Sequence, residues 1–378
     1  MKRERTWIEL NERALASNIQ QLRSMSSGAR FCAVVKANAY GHGLSEVSHI
    51  AGRAGVDCFA TDSIDDAIFL RERFPGALLL VLGYTLPERF EEAVHHHLHL
   101  TMYDKEGIEV LQTVAARSAS QACVHLKIET GTSRLGALED DLPAILAIFH
   151  TSKHLVLSGI STHFANIEDA TAPEYASLQF GRFSKMIQYI QAEGLQPEYI
   201  HSACSAAMIL YPDTHGTLVR SGISLYGIWP SEQTQNAARK QELPLDLQPV
   251  LQWKTRIAQI KSLPAGTPVG YGMTEILSKR SRIAVLPVGY FDGYDRRLSS
   301  KGEVIVSGYR CRVIGRVCMN MMMIDVSAVP NPEVGQEIVL LGREGRHEIL
   351  ANSIGQQIGT IGYEILARIN SALPRVVI

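Results

Sequence analysis

The stretch Phe31-Cys32-Ala33-Val34-Val35-Lys36-Ala37-Asn38-Ala39-Tyr40-Gly41-His42-Gly43 sets an apolar, β-prone run against a lysine and a glycine-framed turn. Residues 31–35 read as a buried strand whose end carries an amine. An amine near apolar surroundings loses basicity and becomes a nucleophile, which is how Schiff-base lysines act. Taken alone, Lys36 could equally snorkel from a strand end to water. Working outward, strand-like runs recur at 58–61, 78–82, 98–102, 124–128, 155–161, 199–202 and 222–226. Helix-periodic segments lie between most of them, at 43–54, 63–73, 104–117 and 174–193. An earlier helix is capped by Asn11 and stopped by Ser26-Ser27-Gly28. Eight strands with helical crossovers make a (β/α)8 TIM barrel the expected α/β fold, with a doubly wound open sheet as its rival.

After Pro230 the texture changes. Residues 231–246 are polar and read as a linker or an excursion between domains, and β-rich segments follow at 250–260, 282–289, 303–307, 311–317, 321–326 and 337–342. The expected organisation is a barrel over 1–235 and a mostly β domain over 236–378.

The 378 residues suit two domains, and 46% hydrophobic with 20% charged residues describes a globular protein with large cores. A net charge of −1 without charged blocks argues against nucleic-acid or membrane-surface partners. The charged start is followed by Glu9, Asn11 and Glu12 rather than an apolar signal-peptide core. No run approaches the roughly 18 apolar residues of a membrane span. Six scattered cysteines without a CxxC pair read as reduced core thiols, which makes the cytoplasm the expected location.

Barrel chemistry collects at the C-terminal ends of strands. Unusual polar residues stand at such ends: Lys36 and Tyr40, Lys127 and Arg134, His163, then Ser205 and Arg220 with Gly222. Small residues and free backbone N–H groups late in a barrel suit a phosphate. A Schiff-base lysine early and a phosphate cradle late suggest pyridoxal phosphate.

With these motifs the chain resembles, over essentially its full length, the alanine racemase family of fold-type III pyridoxal-phosphate enzymes. The resemblance rests on AVVKANAYGHG at 33–43, KIETGTSRLG at 127–136, THF at 162–164, SAA at 205–207 and VRSGISLYG at 219–227. The second domain adds VGYGMT at 269–274, PVGYFDG at 287–293, GRVCMN at 315–320 and GYEILARI at 362–369. Such a family implies an isomerase that interconverts L- and D-alanine with pyridoxal 5'-phosphate and supplies D-alanine.

By resemblance, Lys36 holds the cofactor as a Schiff base and serves as one base, while Tyr271 serves as the second on the opposite face of the substrate Cα. His163 and Arg220 form a polarised chain toward Tyr271, and Arg220 meets the pyridine nitrogen. The resemblance implies that Tyr40, Ser205, the backbone of Gly222 and Ile223, and Tyr363 hold the phosphate. The resemblance also implies that Arg134 binds the substrate carboxylate or orients Tyr271, with the backbone at Met319 assisting. Lys127, a lysine carbamylated in some members, and Tyr290 support the site. In the family Tyr271, Tyr290 and Met319 reach the other subunit's cofactor, which implies a homodimer with shared sites and a first strand at 5–10 that joins the C-terminal domain.

Thr132 and Ser133 depart from the Met-Gly common before the arginine, Cys204 from an Asn, and Asn320 from an Asp. These positions lie near the substrate region and keep a serine or broader-specificity racemase as an alternative. A pyridoxal-phosphate decarboxylase is disfavoured because Cys318 is followed by Met319 and Asn320 rather than Asp. A non-catalytic single-barrel cofactor binder would lack the second domain. The run His95-His96-His97-Leu98-His99 reads as a solvated turn rather than a metal site, since no cysteine or carboxylate partners it nearby. Met319, Met321, Met322 and Met323 read as core filling of the β domain.

Overall fold

Arg30–Val34, Cys58–Thr61, Leu78–Val81, His99–Met102, Ala122–Lys127, Leu155–Ser161, Tyr199–His201 and Leu218–Ser221 form one parallel eight-stranded sheet. With crossovers on the outside and the barrel's own side chains filling the inside, Cys58–Thr61 and Leu78–Val81 are buried throughout and read as continuous apolar runs rather than alternating ones. The two terminal strands meet at a seam where Thr217 N donates to Ile200 O at 2.9 Å and Arg220 N to Ala203 O at 3.1 Å. The sheet therefore curls into a near-closed barrel, as the count of alternating units requires.

This is a computed structural model that describes residues 4–378, so the charged start Met1-Lys2-Arg3 lies outside the described residues. Two units are distinguished: the barrel unit takes Ala16–Ala37 and Ser48–Gln248, and the other takes the chain up to Leu15, Asn38–Val47 and Pro249–Ile378. Barrel helices start where side chains satisfy the first turn. Ser63 accepts from Asp66 N at 3.2 Å and Asp104 from Gly107 N at 2.7 Å.

The second unit is mostly strand. Its main sheet runs Gln259–Leu263, Ser281–Leu286, Met322–Asp325, Tyr309–Ile314, Glu303–Val306, Glu337–Glu344, Leu251–Arg256, Thr6–Leu10 and Arg375–Val377. Thr6–Leu10 pairs antiparallel with Leu251–Arg256, bringing Ile8 opposite Trp253, and parallel with Arg375–Val377. A separate ribbon pairs Pro268–Val269 with Glu275–Ile276. Among the described residues no helix is long and apolar enough to cross a membrane.

Three local expectations are corrected. The eighth strand is Leu218–Ser221, and the expected strand at 222–226 is instead a 3-10 turn, Ile223–Tyr226, closed by Gly227 in the left-handed region at φ 79°. The expected linker over 231–246 contains a helix, Glu232–Lys240, whose first turn is capped by Ser231 accepting from Thr234 N at 2.9 Å. Of the four methionines expected in the core, Met322 is buried, but Met319 and Met321 are exposed because they sit in the loop before the strand Met322–Asp325.

Candidate active site

The lysine of the opening motif sits immediately after its strand, where the backbone reverses hand. Ala37, Asn38, Ala39 and Tyr40 all adopt φ near 52–53°. Left-handed conformation costs a non-glycine residue about 1–2 kcal/mol, so four in a row persist only where neighbours over-determine them. Here Asn38 Oδ1 accepts from Leu44 N at 2.8 Å and Asn38 O from Gly43 N at 2.9 Å. Gly41 is required on two counts: φ is +81°, and a Cβ there would lie 2.0 Å from Leu366 O. Tyr40 comes within 6.1 Å of Tyr363, ring centroid to centroid.

The barrel's strand ends converge on Arg220. Its side chain is 6% exposed and donates to Thr162 O at 2.9 Å, Ser202 O at 3.1 Å and His201 O at 2.8 Å. It also donates to Nδ1 of His201 and, at 3.5 Å, to Nδ1 of His163. Among the described residues no carboxylate pairs with this buried cation, an arrangement that is costly without dense hydrogen bonding. Burial, reinforced by Arg220 and Arg134, pushes His163 down to about 3, so its ring is neutral. Burial, then Arg134 and Arg220, brings Lys127 down to about 8. Lys36 and Arg134 therefore belong to the same electrostatic neighbourhood as Lys127 and His163.

Ser205 opens the short helix Ser205–Leu210. Its hydroxyl oxygen accepts from Gly222 N at 3.0 Å, which leaves its proton available to a ligand. Burial raises the neighbouring Cys204 thiol, so that cysteine is unreactive at neutral pH.

Sequence reasoning missed the scaffold of the Arg134 loop. Glu129 accepts from Thr132 N at 2.7 Å and Arg134 N at 3.2 Å. Burial alone would raise its carboxyl, but the backbone N–H groups of the loop together hold it below the usual range. Gln179 binds this loop to His163, as Thr132 does through its hydroxyl at 3.2 Å to His163 O. Glu129 lies inside the 127–136 motif and could have been flagged; Gln179, mid-helix, carried no local signal.

The remaining expected residues lie in the other unit. Tyr271 sits at the tip of the two-stranded ribbon, 73% exposed, between Gly270 and Gly272, both at φ 72°. Tyr290 and Met319 come together through backbone bonds, Tyr290 N to Cys318 O at 3.0 Å and Phe291 N to Met319 O at 2.9 Å. Gly289 permits that approach, since a Cβ there would lie 2.2 Å from Cys318 O. His95 ends the helix Phe90–His95, but His99 leaves the expected solvated turn and points to His125 inside the barrel, 3.0 Å away.

Residues 10–230 match the family described as alanine racemase, N-terminal domain, and residues 250–377 match alanine racemase, C-terminal domain. Alanine racemase of Carboxydothermus hydrogenoformans is 37% identical over 370 residues, covering 98% of each chain. Two solved structures superpose closely. Alanine racemase from Streptomyces lavendulae gives a TM-score of 0.93 at 29% identity, covering 100% of this chain and 98% of that one. The Bacillus anthracis alanine racemase with bound L-Ala-P gives 0.92 at 31%, covering 99% and 95%.

Proposed function

The chain belongs to the alanine racemase family and is an enzyme that racemises alanine, and we propose that it does so with pyridoxal 5'-phosphate by a two-base mechanism using Lys36 and Tyr271. The observation that carries this reading is Arg220, a buried guanidinium that donates to carbonyls and imidazoles, with no carboxylate partner among the described residues. A ring nitrogen set against it must accept rather than donate, because arginine keeps its proton. The donor set therefore fits an unprotonated pyridine. The Ser205 hydroxyl, oriented by the Gly222 N–H, and the backbone at Ile223 suit its phosphate, and Tyr40 and Tyr363 are assigned to the same group on the family resemblance.

When bound, the cofactor's conjugated ring spreads the charge left on the substrate Cα after its proton departs. Lys36 would hold the cofactor covalently in the resting enzyme and, once the substrate's amino group has taken its place and freed the lysine amine, would move the proton on one face. Tyr271 moves it on the opposite face, because racemisation must deliver a proton to either side of a planar carbon. Neutral His163 accepts from Arg220 through Nδ1 and can donate from Nε2 toward the Tyr271 oxygen. Arg134 and the Met319 N–H orient the substrate carboxylate. Lys127, as free base, can add to carbon dioxide with loss of a proton, giving a carbamate that pairs with Arg134.

The work divides between the barrel unit, which carries Lys36, Arg134, His163, Ser205 and Arg220, and the β-rich unit, which carries Tyr271, Tyr290 and Met319. Those three and Phe291, Met273 and Ile361 are exposed, which supports a homodimer in which each β-rich domain completes its partner's site. The six free cysteines suit a reducing cytoplasm. The experiment is circular dichroism of the purified, cofactor-loaded enzyme with L-alanine. Decay of the signal to zero is expected, and a stable signal refutes the reading.

A further inference from the structure

Arg220 is the end of a column of histidines that crosses the barrel. His201 Nδ1 accepts from Arg220, His201 Nε2 lies 2.8 Å from His125 Nδ1, and His125 Nε2 lies 3.0 Å from His99 Nδ1. His99 begins its strand, at the barrel end opposite Arg220's neighbours Thr162 and Ser202. We propose that Arg220 imposes one proton pattern on all three rings, neutral with the proton on Nε2, and that His99 is thereby a remote positioning residue for Arg220.

The logic is one of donors. Arginine only donates, so His201 Nδ1 must be bare and its proton must sit on Nε2. That N–H donates to His125 Nδ1, which forces the His125 proton onto Nε2, from where it donates to His99 Nδ1. Every imidazole dipole then points its negative end toward the guanidinium. Aligned dipoles polarise one another, and the column acts as a counter-dipole where a carboxylate counter-ion is missing. An acid in that place could exchange protons with a bound ring nitrogen; this column cannot without reversing every bond.

The surroundings agree. Burial, with Arg220 beyond it, holds His125 and His201 well below the usual value. His99 lies at about 4 through burial and the cations Arg71 and Arg30, against which Glu198 acts weakly. Tyr199 stacks on His125 with centroids 5.7 Å apart and planes 10° from parallel, and receives Arg30 at 3.1 Å on its hydroxyl. Among the described residues no acid hydrogen-bonds to His125 or His201.

The proton pattern stands without the cofactor; its effect on rate rests on the racemase reading. Nitrogen NMR of 15N-histidine-labelled enzyme, loaded and unloaded, should show all three rings as Nε2–H tautomers across about pH 6.5–8.5. A Nδ1–H tautomer or an imidazolium at any of the three overturns the proposal and leaves the racemase reading intact. His99→Leu removes the last acceptor and should cut kcat about tenfold with KM within about twofold, and shift the His201 Nδ1 resonance. His99→Asn, whose Oδ1 replaces that acceptor, should restore both. Equal loss in Asn and Leu variants, with unchanged His201 resonances, refutes the positioning role. If the Leu variant does not fold, the wild-type tautomers still decide.

Discussion

Gln179 Nε2 donates to the carbonyl oxygen of His163 at 3.2 Å, while its Oε1 accepts from Ala165 N at 2.9 Å. The side chain is fully buried, and it also reaches Thr130 Oγ1 at 3.3 Å. One amide thus holds both the His163 segment and the Arg134 loop. Gln179→Leu strands a backbone N–H and two acceptors, so a loss of about 2–4 kcal/mol is expected in urea unfolding. A cost under about 0.5 kcal/mol would show that the loop is held otherwise.

Lys36→Ala should abolish cofactor attachment as well as turnover. Borohydride treatment of the wild type should fix one cofactor per chain by intact mass, and the variant should stay unmodified. Racemisation should fall by at least about 10³-fold.

Tyr271→Phe should separate the two proton transfers. In deuterated water, one alanine enantiomer should still exchange its α-hydrogen while the other slows about 10²–10⁴-fold. Equal slowing for both enantiomers would place the second base elsewhere.

Acid should destabilise the barrel early. Burial lowers His99 to about 4 and His163 to about 3, and lowers His125 and His201 well below 6.5. Below pH 6.5 the unfolded chain binds protons that the folded chain refuses, so stability falls as pH drops from about 6.5 toward 4. Each ring contributes up to about 1.4 kcal/mol per pH unit in that window. Urea midpoints at about pH 7 and 5.5 check it, and coincident midpoints would contradict neutral buried rings.

Gly41→Ala should cost about 3 kcal/mol, since it adds a left-handed penalty to a clash with Leu366 O. Gly28→Ala, also at positive φ but with open space around it, should cost only about 1 kcal/mol. Thermal unfolding of the pair separates strain from contact.

The barrel strands were legible because strands buried on both faces are mostly apolar, as at Cys58–Thr61 and Leu78–Val81. The run 222–226 misled because Ile223, Leu225 and Tyr226 are equally apolar, yet Gly222 and Gly227 wind them into a turn. The helix Glu232–Lys240 was missed because only Thr234 and Ala238, four apart, are buried, too thin a stripe to outweigh its polar surface. Its cap, Ser231, was the available signal.

What the sequence alone determined is the alternation that builds the barrel and the residues proposed for the chemistry, Lys36, Arg220 and Tyr271 among them. Periodicity and residue chemistry are local properties, carried by neighbours along the chain. Only the tertiary structure decided which side chains share a proton network. His99, His125, His201 and Arg220 lie on four different strands, and the curl of the sheet brings their nitrogens within hydrogen-bonding distance. Hydrogen-bond direction depends on that convergence, because each ring takes its proton pattern from a partner distant in sequence.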